Sequence, residues 1–367
     1  MSERTPLHDR TSAAGAVFVE ESRFLVPAHF GDALAEYNAA RAGAIIVDQS
    51  SHGKLEVNGA DSARFLHNLT TNDILHLPPG DGCEAFLTTA KAKVIAYLLI
   101  YRHASRGGTG VSPVDPPGFS LDVAPGIADK VIQYLDRYLI SEQVEFADYS
   151  TAFAQIHLAG PHAGALLGQV LGDVKLPARA LQHKVVRFGI DGEGWMRRHD
   201  ALGLPGYDFV CPAEQAAGVW LLLLQAGARP AGREACEVLR IEAGLPREGA
   251  DIDESTFAPE VGRIAETISY TKGCYLGQES IVMARDRGQV NRTLVGVQLP
   301  DGPVPHDSRL FDADKEVGRV TSSVHSSRLG MGLGLAYVRR GHQEPGSRLE
   351  VDAAGKRAAA EVVKLPL

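Results

Sequence analysis

A cysteine set among polar residues and glycines is the feature of this 367-residue chain that most directly suggests chemistry. Cys274 lies in the stretch TKGCYLGQES, two residues after Lys272, with Gly273 before it and Gly277 three residues after it. A nearby ammonium group and the amino end of a helix both favour the thiolate, the form of cysteine that attacks electrophiles and binds metals. If a helix begins near Gly277, the stretch predicts an accessible, partly ionised thiol. A buried cysteine in a tight turn is the alternative.

The residues that follow the cysteine suit either a ligand or a structural role. Tyr275 can stack on a flat ligand or pack against the protein. Gln278 and Glu279 can cap the start of a helix. We therefore treat these three residues, together with Lys272, as candidates for the same site as the cysteine.

The stretch KGCYLGQE, from Lys272 to Glu279, resembles the signature K-G-C-Y-x-G-Q-E of the YgfZ-type folate-binding proteins, with agreement at all seven fixed positions. Downstream, Arg285, Arg287 and Arg292 also resemble that family. YgfZ-type proteins share their fold with the glycine cleavage T-protein, a tetrahydrofolate-dependent aminomethyltransferase. The resemblance implies that this chain binds tetrahydrofolate or a derivative, with Tyr275, Gln278 and Glu279 at the site.

Similarity to the T-protein superfamily extends over most of the chain. The stretch IIVDQSSHGKLEVNGADSARFLHNLTTNDI resembles the opening of that fold, and VLRIEAGLPREGADID resembles its central L-R-L-E-A-G segment. The stretch GRVTSSVHSSRLGMGLGLAYV resembles its C-terminal barrel. The implied fold class is α+β, with two α/β domains and a small C-terminal β-barrel around a central folate-binding hole.

The catalytic positions of the T-protein are mostly changed in this chain. That enzyme carries an aspartate pair in the pattern G-G-I-x-D-D-L, whereas AKVIAYL places Ala96 and Tyr97 at the two aspartate positions. Its pteridine-binding glutamate corresponds to Asp208 in GYDFV, its A-R-D arginine to Cys236, and an asparagine to Pro125. Neither alanine nor tyrosine can be a carboxylate that orients folate and transfers a proton at neutral pH. The resemblance thus implies a T-protein scaffold without most of the T-protein active site.

What the resemblance implies for function is a folate-binding accessory protein that supports iron–sulfur cluster assembly or repair. Its partners would be client iron–sulfur enzymes or the assembly machinery. Cys274 would be the required thiol, and Lys272 would hold it as a thiolate. Arg285, Arg287 and Arg292 would bind the glutamyl carboxylates of folate, because guanidinium pairs well with carboxylate. Solvated surface arginines are the alternative for each of the three.

Two other functions stay open at this point. One is a folate-dependent aminomethyl or one-carbon transferase that uses a different acid–base group, and Ala96 and Tyr97 argue against it. The other is a module that only senses folate without any thiol chemistry, and Cys274 argues against it.

Composition limits the remaining possibilities. The formal net charge of -8 excludes a basic field over the whole chain, so a nucleic-acid partner is not expected. The longest apolar run, Val219 to Leu224, is too short to span a bilayer, and no signal peptide is visible at the start. The four cysteines are scattered and form no C-x-x-C pair, so local motifs predict no metal site. A cytoplasmic protein with reduced cysteines is expected.

The order of elements that must position these residues follows from periodicity and turn signals. The pattern predicts a helix within Gly31–Gly43 capped by Asp32, a helix after Asp61, and a buried strand at Lys93–Tyr101. From Leu294 onward, short β-like runs between Gly, Pro and Asp turns predict an all-β module.

The predicted domain limits follow from these elements. Residues 1–22 are expected to be a flexible leader, 23–145 the first α/β domain, 146–290 the second α/β domain with the KGCYLGQE motif, and 291–367 the β-barrel.

Overall fold

One antiparallel sheet, one mixed sheet and a closed barrel organise the protein, in a computed structural model that describes residues 2–104, 118–172, 174–188, 192–288, 290–353 and 355–367. The first part of the chain contains, in order, β1 (Glu3–Arg4), α1 (His8–Ala13), β2 (Val17–Glu21), β3 (Phe24–His29), α2 (Ala33–Ala42), β4 (Ile45–Asp48), β5 (Gly53–Asn58), α3 (Ser62–Leu69), β6 (Gly82–Thr88), β7 (Val94–Arg102), β8 (Phe119–Val123), α4 (Ala128–Asp136) and β9 (Glu145–Asp148).

The second part contains β10 (Phe153–Ala159), α5 (Ala163–Leu171), β11 (His183–Phe188), β12 (Gly192–Arg198), β13 (Gly206–Pro212), α6 (Ala216–Gln225), β14 (Arg229–Pro230), α7 (Arg233–Glu242), α8 (Ile264–Thr267) and α9 (Gln278–Arg287). Short 3-10 helices precede α6 and α8, at Ala213–Gln215 and Ala258–Val261. The barrel contains β15 (Arg292–Leu299), β16 (Arg309–Asp312), β17 (Lys315–Ser326), β18 (Met331–Arg339), β19 (Arg348–Ala353) and β20 (Lys356–Val363).

The start of the chain is ordered, so the prediction of a flexible leader over residues 1–22 is wrong for the described residues. β1 and β2 pair with either side of β3 in a three-stranded sheet. Leu7 is fully buried in the core of the second sheet, and Thr5 Oγ1 donates a hydrogen bond to Asp48 Oδ2 at 2.6 Å. The charged residues of this segment suggested solvation, whereas the pairing partners and the core that receives Leu7 come from elements later in the chain.

The first sheet has the strand order β6-β7-β8-β5-β9. Its apolar face packs against α3 and α4 in one hydrophobic cluster, to which Phe65, Leu66 and Leu69 contribute as the sequence predicted. The predicted helix start at Asp32 is also confirmed, because its side chain accepts hydrogen bonds from the backbone amides of the first turn of α2. Successive residues of β7 face opposite sides of the sheet. One side of the sheet is therefore apolar and covered by helices, and the other faces the second sheet.

The second sheet has the strand order β11-β12-β13-β10-β4-β14, and α5 and α6 cover one of its faces. β4 lies early in the chain but pairs with β10, and β9 pairs with β5 of the first sheet. The sheets therefore cut across the limit predicted at residue 145/146. Strand pairing is decided by contacts far apart in sequence, which a boundary drawn from composition does not contain.

The predicted C-terminal barrel is confirmed as a closed sheet of strand order β15-β18-β17-β16-β19-β20. The glycine-rich stretch MGLGLAYV, which resembles the T-protein barrel, lies within β18. At Gly334 a side chain would lie 2.7 Å from the Ser322 carbonyl oxygen, so the glycine allows the close approach of β17. The expected fold class, two α/β domains and a small barrel, is therefore correct.

A buried carboxylate joins the barrel to α7. Asp251, which is 2% exposed, accepts hydrogen bonds from Arg240 Nη1 at 2.8 Å and from Ser322 Oγ at 2.7 Å. Arg240 Nη2 also donates to Ser322 Oγ at 2.8 Å, and Tyr337 donates its hydroxyl to the Asp251 carbonyl at 2.9 Å. Arg240 also pairs with Glu237, with Nε 2.7 Å from Oε2, so Asp251 is one of two counter-charges of this guanidinium.

We expect Asp251→Asn to lower the free energy of unfolding by about 2 kcal/mol, because Arg240 keeps only Glu237 as a counter-charge and the hydroxyls of Ser322 and Thr321 lose a charged acceptor. Asp307→Asn is the matched control, since its pair with Arg319 is solvent-exposed and should contribute less than about 1 kcal/mol. Urea unfolding of both variants measures the difference. Equal stability of the two variants would contradict the role given to Asp251.

Candidate functional site

A layer of polar side chains is buried between the two sheets. Asp122 on β8 accepts hydrogen bonds from Gln155 Nε2 on β10 at 2.8 Å and from His52 Nδ1 at 2.9 Å. Arg197 on β12 lies with Nη1 3.8 Å from Asp122 Oδ2, and its guanidinium lies 4.1 Å from the ring centre of Tyr101 on β7. The layer therefore joins the sheets through charge and hydrogen bonds instead of apolar contact.

Strand register explains how the second sheet supplies this layer. His183, Arg197, Asp208 and His157 lie opposite one another across β11, β12, β13 and β10. Residues paired directly across neighbouring strands share one face of the sheet. Asp208 is fully buried, with His157 Nδ1 2.6 Å from Oδ1 and His199 Nδ1 2.7 Å from Oδ2. The layer thus contains a carboxylate held between two imidazoles.

The charges of the layer shift the pKa values of its members. Burial alone would raise the pKa of Asp208, but the two histidines lower it well below its usual range. Burial would lower the pKa of His199, yet the Asp208 carboxylate raises it. For Asp122 burial is likewise outweighed, by His52 and Arg197, so its pKa is lowered. Both aspartates are therefore ionised carboxylates at neutral pH.

Several buried polar atoms of the layer have no hydrogen-bond partner among the described residues. They are Tyr101 Oη, Gln155 Oε1, His157 Nε2, both ring nitrogens of His183, and Nε and Nη1 of Arg197. Buried polar groups in folded proteins are nearly always hydrogen-bonded to protein or water. The layer therefore has free donors and acceptors that suit the polar edge of a flat heterocycle.

Asp208, predicted to bind the pteridine ring, has both carboxylate oxygens engaged by histidines. It therefore acts on its surroundings through His157 and His199. Sequence reasoning did not single out these two histidines, nor His183 and Arg197. The signal that could have found them is their common register, which becomes visible only when the strands are paired.

The two positions of the T-protein aspartate pair face opposite sides of β7. Ala96 is fully buried in the hydrophobic core with α3 and α4. Tyr97 shares the other face with Tyr101, and its hydroxyl donates a short hydrogen bond to Glu84. Arg263 holds the same carboxylate, with Nη2 2.7 Å from Glu84 Oε1. Next to the tyrosine there is thus a carboxylate from β6, already paired with a guanidinium.

A second carboxylate reaches the same strand from the segment LPREGADID. Glu248 Oε2 accepts a hydrogen bond from the backbone N–H of Tyr97 at 2.9 Å. Burial raises the pKa of Glu248 to about 7, and the Tyr97 amide only partly offsets this effect. Glu248 can therefore gain or lose a proton near neutral pH, beside the position of the missing aspartates.

The helix predicted after the motif is present, because α9 begins at Gln278 with Gly277 as its N-cap. Gly277 has a positive φ of 88°, and a side chain there would lie 2.8 Å from both Thr88 Oγ1 and the Thr89 carbonyl oxygen. Only glycine fits this position without strain. Glu279 is exposed in the first turn, where a negative charge is favourable, and Gln278 is half-buried.

Cys274 itself is exposed, which excludes the interpretation as a buried turn cysteine. The preceding Gly273 is not sterically required, since a side chain there would meet only His67 Nε2 at 3.9 Å. Of the two motif glycines, only Gly277 is therefore required by close contacts. Among the described residues, no hydrogen bond, ion pair or ring contact joins Cys274 to the polar layer.

Lys272 does not serve the thiol as predicted. Its ammonium group donates to the carbonyl oxygens of His67, Thr70 and Asn72, the last two at 2.7 and 2.8 Å. These three bonds use all three donors, and they satisfy carbonyls at and beyond the end of α3. Burial lowers the pKa of Lys272 to about 7. The buried ring of Tyr275 lies 4.6 Å from the ammonium, so this tyrosine packs against the lysine.

The three arginines predicted to bind folate carboxylates lie around the end of α9. Arg292 Nε is 3.0 Å from Glu260 Oε2, and Arg285 Nε is 2.7 Å from Asp286 Oδ1. Arg287 is exposed in the last turn of the helix. Arg285 and Arg292 already have acidic partners, so binding of a folate carboxylate would have to compete with these pairs.

A cavity of about 540 Å³ lies outside the polar layer, between the start of the chain, α2, α7 and the barrel. Val19, Leu34, Tyr37, Arg233 and His325 are among the residues that line it. None of the polar-layer residues lines this cavity. In the described part of the chain, no helix is long and apolar enough to cross a membrane.

Over its whole length the chain is similar to glycine cleavage T-proteins and aminomethyltransferases. Residues 7–269 match the family model described as GCVT N-terminal domain, and residues 292–367 match the glycine cleavage T-protein C-terminal barrel domain. An aminomethyltransferase of Geobacillus kaustophilus is 31% identical over 374 residues, covering 100% of this chain and 98% of that protein. An aminomethyltransferase of Rubrobacter xylanophilus is 30% identical, covering 99% and 93%.

The solved structure of the glycine cleavage system aminomethyltransferase T from Bartonella henselae superposes with a TM-score of 0.88. It is 21% identical in sequence and covers 100% of this chain and 98% of that chain. At this identity the likeness concerns the fold.

We expect Glu248→Gln to remove a pH dependence of stability. A carboxyl group with a pKa near 7 when folded and about 4.3 when unfolded holds its proton better in the folded state. The stabilisation that this carboxyl group gives to the folded state is therefore full below about pH 4 and is lost as the pH rises through 7. Relative to the parent protein, the free energy of unfolding of the variant should therefore rise by on the order of 2–3 kcal/mol when the pH is raised from 5 to 8.

Urea unfolding at the two pH values measures this gain, and Glu254→Gln is the control because Glu254 is largely exposed. A difference between parent and Glu248→Gln that does not change with pH would contradict the titration of Glu248.

Proposed function

Because this chain belongs to the glycine cleavage T-protein family, we propose that it is a folate-binding member of that family that supports iron–sulfur cluster assembly or repair through Cys274. The observation that carries the proposal is the exposed thiol in KGCYLGQE, on a T-protein scaffold with Ala96 and Tyr97 in place of the aspartate pair. Client iron–sulfur enzymes or the assembly machinery would be its partners, in the cytoplasm.

We propose the polar layer as the folate-binding site. Its unpartnered buried atoms on Tyr101, Gln155, His183 and Arg197 supply the donors and acceptors that a pterin needs. Asp208 would support the site through its histidines, since both of its oxygens are engaged. Tetrahydrofolate or a derivative, when bound, would supply one-carbon chemistry.

The thiol would act from a rigid loop. Lys272 fixes the loop to the end of α3, Tyr275 packs against Lys272, and Gly277 starts α9 directly after it. The amino end of α9 favours negative charge in its neighbourhood. These contacts would hold Cys274 in one exposed position, where a partner protein can reach it.

A folate-dependent aminomethyltransferase is the second candidate. It is favoured by relatives of that name over the full length of the chain, and by the carboxylates of Glu84 and Glu248 beside Tyr97. Glu84 is neutralised by Arg263, which leaves Glu248 as the group that could replace the missing acid–base residue. A module that only senses folate would give no role to the exposed thiol.

We expect Cys274→Ser to fold and to bind tetrahydrofolate like the parent protein, but to fail to complement a YgfZ-deficient cell. Serine keeps the size of the side chain and removes the soft nucleophile. The measurements are iron–sulfur enzyme activity in the complemented cell and calorimetry with tetrahydrofolate. Cys83→Ala, which removes a different thiol, should complement. Full complementation by Cys274→Ser would remove the thiol from the proposal.

Turnover in glycine cleavage separates the two candidates. Tetrahydrofolate-dependent release of ammonia from the aminomethyl-lipoyl carrier protein should be at least a thousandfold slower than with a T-protein, because the chain lacks the aspartate pair. Comparable turnover would establish the transferase instead. In that case Glu248→Gln should abolish it, whereas Glu254→Gln should not.

A further inference from the structure

Three side chains of the polar layer have the composition of a metal centre. His157, His199 and Asp208 place one ligand atom each within 4.8 Å of one another. Two of the side chains are fully buried, and that of His199 is 20% exposed. We propose that these three residues form a site for a divalent transition-metal ion, either zinc or ferrous iron, independent of Cys274.

The donor set matches this chemistry. Two imidazole nitrogens and one carboxylate bind Zn²⁺ in catalytic zinc sites and Fe²⁺ in the two-histidine, one-carboxylate class, and both classes keep open positions. The Nδ1 atoms lie 2.6 and 2.7 Å from the two oxygens of Asp208. A single ion can replace the protons that now bridge these atoms, with Nδ1 of each histidine and the carboxylate as ligands. Binding would release those protons to solvent.

Charge compensation distinguishes this carboxylate from its neighbour. Asp122 has Arg197 as a cationic partner at 3.8 Å. Among the described residues, the ion-pair partners of Asp208 are the two histidines alone. A fully buried carboxylate is costly unless it is paired with a cation or bound to a metal. A divalent ion at this point would add positive charge directly beside this carboxylate.

The site is also fixed in place by the strands. His157 and Asp208 are direct partners across β10 and β13. The backbone N–H of His199 donates to the Gly206 carbonyl oxygen at 3.0 Å. A side chain at Gly206 would lie 2.8 Å from Cε1 of His157, so glycine leaves room for the imidazole ring. The partial exposure of His199 gives an ion a path from solvent.

Metal titration of the full chain tests the proposal. After treatment with a chelator and desalting, the protein is given zinc sulfate, or ferrous ammonium sulfate under anaerobic conditions, and bound metal is measured by mass spectrometry. We expect one equivalent of ion per chain, and the tighter of the two arms identifies the metal. X-ray absorption should show nitrogen and oxygen ligands at about 2.0–2.2 Å and no sulfur.

The variants decide which residues hold the ion. His199→Gln and Asp208→Asn should each weaken binding at least tenfold. His52→Gln is the matched control, because that imidazole contacts the other buried aspartate of the layer, and it should bind like the parent protein. Cys274→Ser should also bind like the parent, so the metal site and the proposed function can fail separately.

Two results would overturn the proposal: less than one fifth of an equivalent bound in both arms, or unchanged affinity in a folded His199→Gln. If Asp208→Asn fails to fold, the partly exposed His199 still provides the test, with thermal unfolding as the check on its fold. An ion that binds equally to parent and His199→Gln would be placed elsewhere on the chain.

Discussion

Two carboxylates buried between two β-sheets, Asp122 and Asp208, impose the constraint on which the rest of the structure depends. A charge removed from water must find donors within the protein. Asp122 belongs to the first sheet and finds Gln155 and Arg197 on the second, so satisfying this charge fixes how the sheets meet. A hydrophobic contact would tolerate sliding of one sheet over the other, whereas these directional contacts specify one arrangement.

The polar layer lies on one face of the first sheet, and the other face is apolar. Alternation along β7 sends Ala96 into the helix-covered core and Tyr97 toward the opposite side, next to Glu84 and Glu248. The scaffold therefore accommodates an alanine and a tyrosine at these two positions without disturbing the strand. The fold superposes on that of the Bartonella henselae aminomethyltransferase with a TM-score of 0.88 at 21% sequence identity, as expected when a common fold carries many different side chains.

The motif loop illustrates how one residue can be structural in a sequence that suggests catalysis. Lys272 has three donors, and three carbonyl oxygens around the end of α3 take all of them. The lysine therefore stabilises the backbone, because these carbonyls would otherwise be buried without donors. It has no donor left for a neighbouring thiol. The thiol of Cys274 remains exposed, while Lys272 anchors its loop to the end of α3.

The sequence by itself determined the elements with strong local signals: the capped helix α2, the apolar face of α3, the barrel strands, and the helix start at Gly277. These depend on residues close together in the chain. Only the tertiary structure decided that β1 and β2 pair with β3 and that β4 pairs with β10. It also decided that His157, His199 and Asp208 meet at one point. The physical reason is that strand register and burial depend on partners far apart in sequence. Local sequence patterns therefore do not indicate which strands pair with each other.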